Sequence, residues 1–179
     1  ISYALNQRLP DDIVVQNSSE IPLDWHPRHC NSRKTYEYRI LNREFPMPQR
    51  RLDTWFVYRK LNIPAMCEAA EQFEGTHDFK SFCASKTQAQ TTVRTVTGIE
   101  VETHSLSEGE YPSQKVIIRV TGEGFLYNMV RIISGTLIKV GLGVYPPEHV
   151  KEILAACDRS KAGETVPAKG LFLKKIEYL

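Results

Sequence analysis

Two hydrophobic rhythms run along the chain, one of period two and one close to 3.6, and the switches between them mark its elements. Arg33 to Asn42 reads RKTYEYRILN, with Tyr36, Tyr38 and Ile40 on one side and Thr35, Glu37 and Arg39 on the other, which predicts a half-buried strand. Val93 to Thr103 and Lys115 to Thr121 alternate in the same way about a polar loop containing Glu and Gly, predicting an antiparallel hairpin with a long connection. A short strand is expected at Ile13 to Gln16, after a turn, and a closing strand at Gly170 to Tyr178.

The helical rhythm appears in three places. Pro64 to Phe73 carries Met66, Ala69, Ala70 and Phe73 along one face, with Pro64 in the first turn and Gly75 as the stop. Leu126 to Leu142 is the most apolar element. Leu126, Met129, Val130, Ile133, Leu137 and Val140 recur at helical spacing, Ile132 and Ile138 widen the stripe, and Gly141 and Gly143 end it. Pro147 to Cys157 repeats the pattern and is expected to bury Val150, Ile153, Leu154 and Cys157. Between these, REFPMPQRR is an extended basic loop broken by two prolines, and Asp78 to Cys83 is a helical turn presenting Phe79 and Phe82 behind an Asp78 cap. Strands and helices mix without a β-α-β beat. That predicts an α+β domain spanning residues 1–179, an antiparallel sheet with helices packed on it.

Composition narrows the class. In 179 residues, 41% hydrophobic and 25% charged is ordinary for a globular domain, which excludes disorder, collagen-like repeats and a disulfide-dense miniprotein. Arg131, Lys139 and glycines interrupt the apolar stretches, so no bilayer span is expected. The opening Ile1-Ser2-Tyr3 has no basic-then-apolar leader and reads as a start inside a larger protein. Cys30, Cys67, Cys83 and Cys157 are widely spaced and the five histidines are scattered. Free thiols in a reducing cytosol, with no metal site, is the expectation.

The net charge is only +2, but His26 to Lys60 holds nine Lys and Arg against three acidic residues. This is either a polyanion footprint or a solvated strand face with charged loops. Tyr36 and Tyr38 lie within it, and their rings either stack on a nucleic-acid base or fill the core side of the strand. Arg131 sits mid-helix among Met129, Val130, Ile132 and Ile133, with no acidic residue three or four positions away. An arginine cannot be deprotonated. It therefore needs a remote partner, snorkels to water, or pairs with a group outside this chain. His77-Asp78 is a weak hydrolytic candidate with no nucleophile in context, and no phosphate-binding glycine loop is present.

Six runs, in this order, resemble the tRNA pseudouridine synthase A family. They are LNQRLPDDIVV (Leu5 to Val15), WHPRHCNSRKTYEY (Trp25 to Tyr38), GTHDFKSFCA (Gly75 to Ala84), VRTV (Val93 to Val96), GFLYNMVRIISGTLIKVG (Gly124 to Gly141) and AKGLFL (Ala168 to Leu173). The resemblance covers nearly the whole chain and implies a pseudouridine synthase-like half. It implies isomerisation of uridine in the anticodon stem-loop of tRNA, without cofactor or metal, by a homodimer. In that chemistry an aspartate attacks a flipped-out nucleoside, the glycosidic bond breaks, and the uracil rotates and rejoins through carbon. Tyr36 matches the tyrosine that stacks on the target base, Arg131 the basic residue that pairs with the catalytic aspartate, and Leu171 the apolar residue beneath the tyrosine. Arg28, His29, Arg33 and Lys34 fall where the family meets RNA.

The family's R-T-D-x-G-V-H-like run, which carries the nucleophile, is not found in these 179 residues. The expectation is a C-terminal portion that is inactive alone; the alternative is a non-catalytic RNA-binding or dimerisation module. If the Arg28 to Lys60 segment touches phosphates, RNA affinity falls steeply with salt, through counterion release. Filter binding across a salt series checks this, and a flat response removes the segment from the binding face.

Overall fold

A computed structural model describes residues 1–27, 29–84, 89–107 and 113–179. These form two compact units, Ile1–Cys30 and Asn31–Leu179. The first holds one short helix, α1 (Ser2–Asn6), followed by turns and extended chain. The strand expected at Ile13 to Gln16 does not form. Instead of a ladder, the backbone of Val15 meets the side chain of Asn6, which takes its N–H at 2.8 Å and donates to its carbonyl at 2.9 Å. A side-chain amide here does the work of a neighbouring strand.

The second unit is a six-stranded sheet with helices on one face. Its elements are β1 (Ser32–Asn42), β2 (Trp55–Val57), α2 (Ile63–Glu71), β3 (Gly75–Asp78), β4 (Val93–Ser107), β5 (Ser113–Gly122), α3 (Met129–Gly141), α4 (His149–Ala156) and β6 (Leu171–Tyr178). The strand order is β2-β1-β5-β4-β3, and β6 pairs with β1 on the edge that β2 also uses. The two share it end to end: β6 runs along Ser32 to Tyr38, and β2 takes Ile40 to Asn42. Every pairing is antiparallel except β1 with β2. The predicted α+β class is the one observed.

The alternation read in β1 places Tyr38 and Ile40 on the helix-covered face, opposite Ile118 and Val116 of β5. The other face is polar but not simply solvated. Glu37 is 3% exposed, and the Arg119 guanidinium on β5 reaches it at 3.3 Å while also holding Glu100 at 2.8 Å and Glu102 at 2.7 Å. Burial pushes the Glu37 carboxyl up. Hydrogen bonds from Arg39 and Arg119 outweigh that and hold it below its ordinary range. Arg39 also lies 3.7 Å over the Phe172 ring of β6.

α2 begins where Asn62 accepts from the Ala65 N–H, with Pro64 in its first turn, and buries Met66, Ala69 and Ala70 as its spacing predicts. Phe79 and Phe82 are fully buried around the 3-10 turn Lys80–Phe82, and Asp78 receives the Lys80 N–H. α3 starts three residues later than the apolar stripe suggests. Asn128 takes a left-handed backbone conformation, φ +63°, which an α-helix does not propagate through. From Met129 onward α3 is buried nearly all round; of its residues only Arg131 and Lys139 are not.

That burial depends on a close backbone approach. A side chain at Gly135 would collide with the Glu164 carbonyl, and one at Gly163 would meet the Thr136 backbone. Thr136 ties the two segments, accepting the Gly163 N–H at 2.9 Å while donating to the Ile132 carbonyl. Gly135→Ala forces backbone against backbone and is expected to cost about 1–3 kcal/mol of stability. Urea denaturation measures this, and an unchanged midpoint refutes the close approach.

Candidate active-site pocket

A pocket of about 270 Å³ opens where the first half of β1, the turn before α3 and the start of β6 meet. Tyr36, Arg131 and Leu171, far apart in sequence, all line it, together with Phe125, Tyr127 and Asn128. The alternation that puts Tyr36 and Tyr38 on one face therefore has two results. Tyr38 lies under α3, fully buried, its hydroxyl donating to the Pro167 carbonyl at 2.7 Å, and burial pushes its phenol well above the ordinary value. Tyr36, two residues earlier, is half-buried and meets Phe125 edge-on at 5.1 Å between ring centroids. Core filling holds for Tyr38; Tyr36 faces the pocket.

Arg131 is held by neutral groups. Its Nε donates to the Val166 carbonyl at 2.7 Å and its Nη1 to Oδ1 of Asn128 at 2.9 Å. Among the described residues of this unit no carboxylate pairs with it or lines the pocket. Two of the five N–H groups of the guanidinium are thus spent, and three have no partner among the described residues of this unit. The Val166 carbonyl is itself fixed. Val166 is fully buried, and Arg159 grips the preceding backbone by donating to the Gly163 carbonyl at 2.9 Å and to Thr165 Oγ1 at 3.1 Å.

Of the expected RNA-binding residues, His29 falls in the first unit and Arg33 and Lys34 in the second. Arg28 lies outside the described residues. His29 belongs to the first unit, exposed, with its ring 4.5 Å from that of His26. Lys34 shares the face of Tyr36 by alternation, whereas Arg33 lies on the opposite face, paired in register with Glu177 of β6. His77 and Asp78 serve local structure: one ring nitrogen of His77 meets the Glu74 carbonyl at 2.8 Å, and Asp78 caps Lys80.

Phe125, Tyr127 and Asn128 are pocket residues that the periodicity absorbed into a turn and the start of a helix. The signal that could have found Asn128 is its type and place: an asparagine beside an apolar helical run is a natural N-terminal boundary and tolerates left-handed backbone. Among the described residues no group of three or more His, Cys, Asp or Glu could hold a metal ion, and no helix is long and apolar enough to cross a membrane.

Residues 69–179 match the family described as tRNA pseudouridine synthase. The chain belongs to that family. It is 47% identical over 175 residues to tRNA pseudouridine synthase A 2 of Clostridium perfringens, a match covering 98% of this chain and 68% of that protein. It is 42% identical to tRNA pseudouridine synthase A of Acetivibrio thermocellus, covering 99% of this chain and 69% of that protein. With the Bacillus subtilis enzyme of the same name the identity is also 42%, over 98% and 68%. The family match reaches from α2 through β6 and so includes Arg131 and Leu171, while Tyr36 is reached by these longer alignments.

In this synthase-family chain Arg131 also has a structural duty. Arg131→Met keeps the length and apolar stem but leaves the buried Val166 carbonyl without its donor, at an expected cost of about 1–3 kcal/mol. Denaturation without any RNA present reads that cost, and equal stability of the two proteins refutes it.

Proposed function

We propose that this chain is the C-terminal, base-holding part of a synthase that converts uridine to pseudouridine in the anticodon arm of tRNA, acting in the cytoplasm as a homodimer. The observation that carries this reading is the convergence of Tyr36, Leu171 and an Arg131 with three free N–H groups on one small pocket. A base must leave its stack to be reworked, which costs a few kcal/mol and calls for an aromatic platform in a closed site. Tyr36 supplies the platform, Phe125 buttresses it edge-on, and Leu171 gives the floor. The free edge of Arg131 receives the nucleophilic aspartate from chain outside these residues. It holds that carboxylate ionised and aimed at the ribose carbon.

On this reading the aspartate displaces the uracil nitrogen from the ribose, the uracil turns in the pocket, and its C5 forms the new glycosidic bond. The carboxylate leaves as that bond forms, the C5 proton is then lost, and N1 takes up a proton. The chain alone holds and orients but lacks the attacking group. Lys34, on the Tyr36 face, contacts RNA phosphate, with Arg28, His29 and Arg33 as further basic contacts.

Tritium release from tRNA labelled at uracil C5 tests the proposal. No release is expected from the chain alone, release is expected once the upstream segment is supplied, and Tyr36→Ala should abolish it. Release by the chain alone places the nucleophile within these residues. Binding without release under both conditions favours a non-catalytic RNA-binding module.

A further inference from the structure

The pocket contains one amide whose polarity is locked. Asn128 lines it, and the atom of its side-chain amide that faces Arg131 must be the oxygen, because a guanidinium has only N–H groups to offer. With Oδ1 held at 2.9 Å from Nη1, the amide cannot flip without setting NH₂ against N–H. Its backbone is constrained as well. Asn128 sits in the left-handed region at φ +63°, ψ +7°, its carbonyl accepts the Ile132 N–H at 3.0 Å, and the turn before it is tied by the Met129 N–H to the Leu126 carbonyl at 3.0 Å. The other end of the amide, Nδ2, makes no hydrogen bond to any described residue. The pocket is therefore lined by a fixed donor that has no partner among the described residues of the unit.

We propose that Asn128 is the specificity-determining residue for the base, its Nδ2 donating to O4 of the flipped uracil. This rests on the reading of the pocket as the uridine site. Asparagine free to rotate its amide serves uracil and cytosine equally well, since it offers either N–H or C=O. The bond to Arg131 removes that choice. Uracil presents a carbonyl at C4 and accepts from Nδ2; cytosine presents an amino group there and sets donor against donor. The same guanidinium that receives the nucleophile thus also sets the polarity of base recognition, so attack is aimed and the correct base is chosen by one residue pair.

The test is equilibrium binding of the intact synthase, upstream segment included, to two anticodon stem-loop RNAs that differ only in uridine or cytidine at the modified position. The wild-type protein is expected to prefer uridine by about tenfold, the worth of one hydrogen bond. Asn128→Gly keeps the left-handed backbone without strain, loses the donor, and brings the ratio close to one. Asn128→Asp keeps an oxygen for Arg131 but turns an acceptor to the base, which should reverse the preference toward cytidine.

A role confined to positioning Arg131 predicts otherwise: Asn128→Gly then weakens both RNAs equally and leaves their ratio unmoved. That result, or an unreversed ratio in the aspartate variant, overturns the inference while the uridine pocket stands. A wild-type ratio near one, with Tyr36→Ala binding as well as wild type, overturns the pocket reading itself.

Discussion

A guanidinium that cannot shed its charge has been placed on a helix that is buried everywhere else but at Lys139, and the rest of this unit is arranged around that fact. α3 packs its apolar residues against the sheet and α2, and Arg131 exits that packing toward the Val166 carbonyl and Asn128. The exit is defined by backbone. The Val166 carbonyl takes Nε, and it stands there because the glycine contact between α3 and residues 163–164 brings two main chains together and because Arg159 holds the strap in place. Asn128 closes the other side, in a conformation few side chains tolerate. The direction of the charge is thus set by groups that have little freedom to move, which is what a site needs if the group is to be pre-placed rather than recruited.

The sheet that supports this pocket is polar on its far face without being loose. Glu37, opposite Arg119 in register and beside Arg39, is buried and keeps its charge because hydrogen bonds from those two arginines outweigh the cost of burial. This network lies on the central strands β1, β5 and β4, so the strand that carries Tyr36 is pinned by ion pairs on one face and by the core on the other. Tyr38 is anchored to the Pro167 carbonyl in the same strap that supplies Val166. Tyrosine and arginine, although carried by different elements, are thereby referred to one short segment of chain.

Much of this could be read in the sequence, and what escaped did so for identifiable reasons. β1, the β4–β5 hairpin and the three long helices carry strong periodicity and were legible, and β6 was read as a closing strand. β2 and β3 have three and four residues, too few for a rhythm, and exist because longer strands offer them an edge. Ile13 to Gln16 has strand composition but lacks a neighbour, and Asn6 took its place. For Arg131 the sequence posed the right question and looked only for acids. The partner at i−3 is an amide, and the other is a backbone carbonyl 35 residues away, which no pattern of residue types can encode. The pocket's membership became a candidate through resemblance; the absence of a carboxylate from its described lining, and the split between Tyr36 and Tyr38, needed the structure.

Two arginines of this unit keep opposite company. Arg119 and Arg131 are both half-buried side chains in the same unit. Arg119 is surrounded by Glu37, Glu100 and Glu102, and its charge is more than balanced by those neighbours. Such an arginine ties strands together and has nothing left to offer. Arg131 faces an amide and a carbonyl, which orient it but do not neutralise it. A packed protein rarely leaves a guanidinium uncompensated beside a pocket, because desolvating the charge is costly when no anion answers it. The compensating anion on the proposed reading is a carboxylate, and the same arithmetic keeps that carboxylate ionised at neutral pH. Binding the nucleophile, lowering its proton affinity and aiming it are then one interaction seen from three sides.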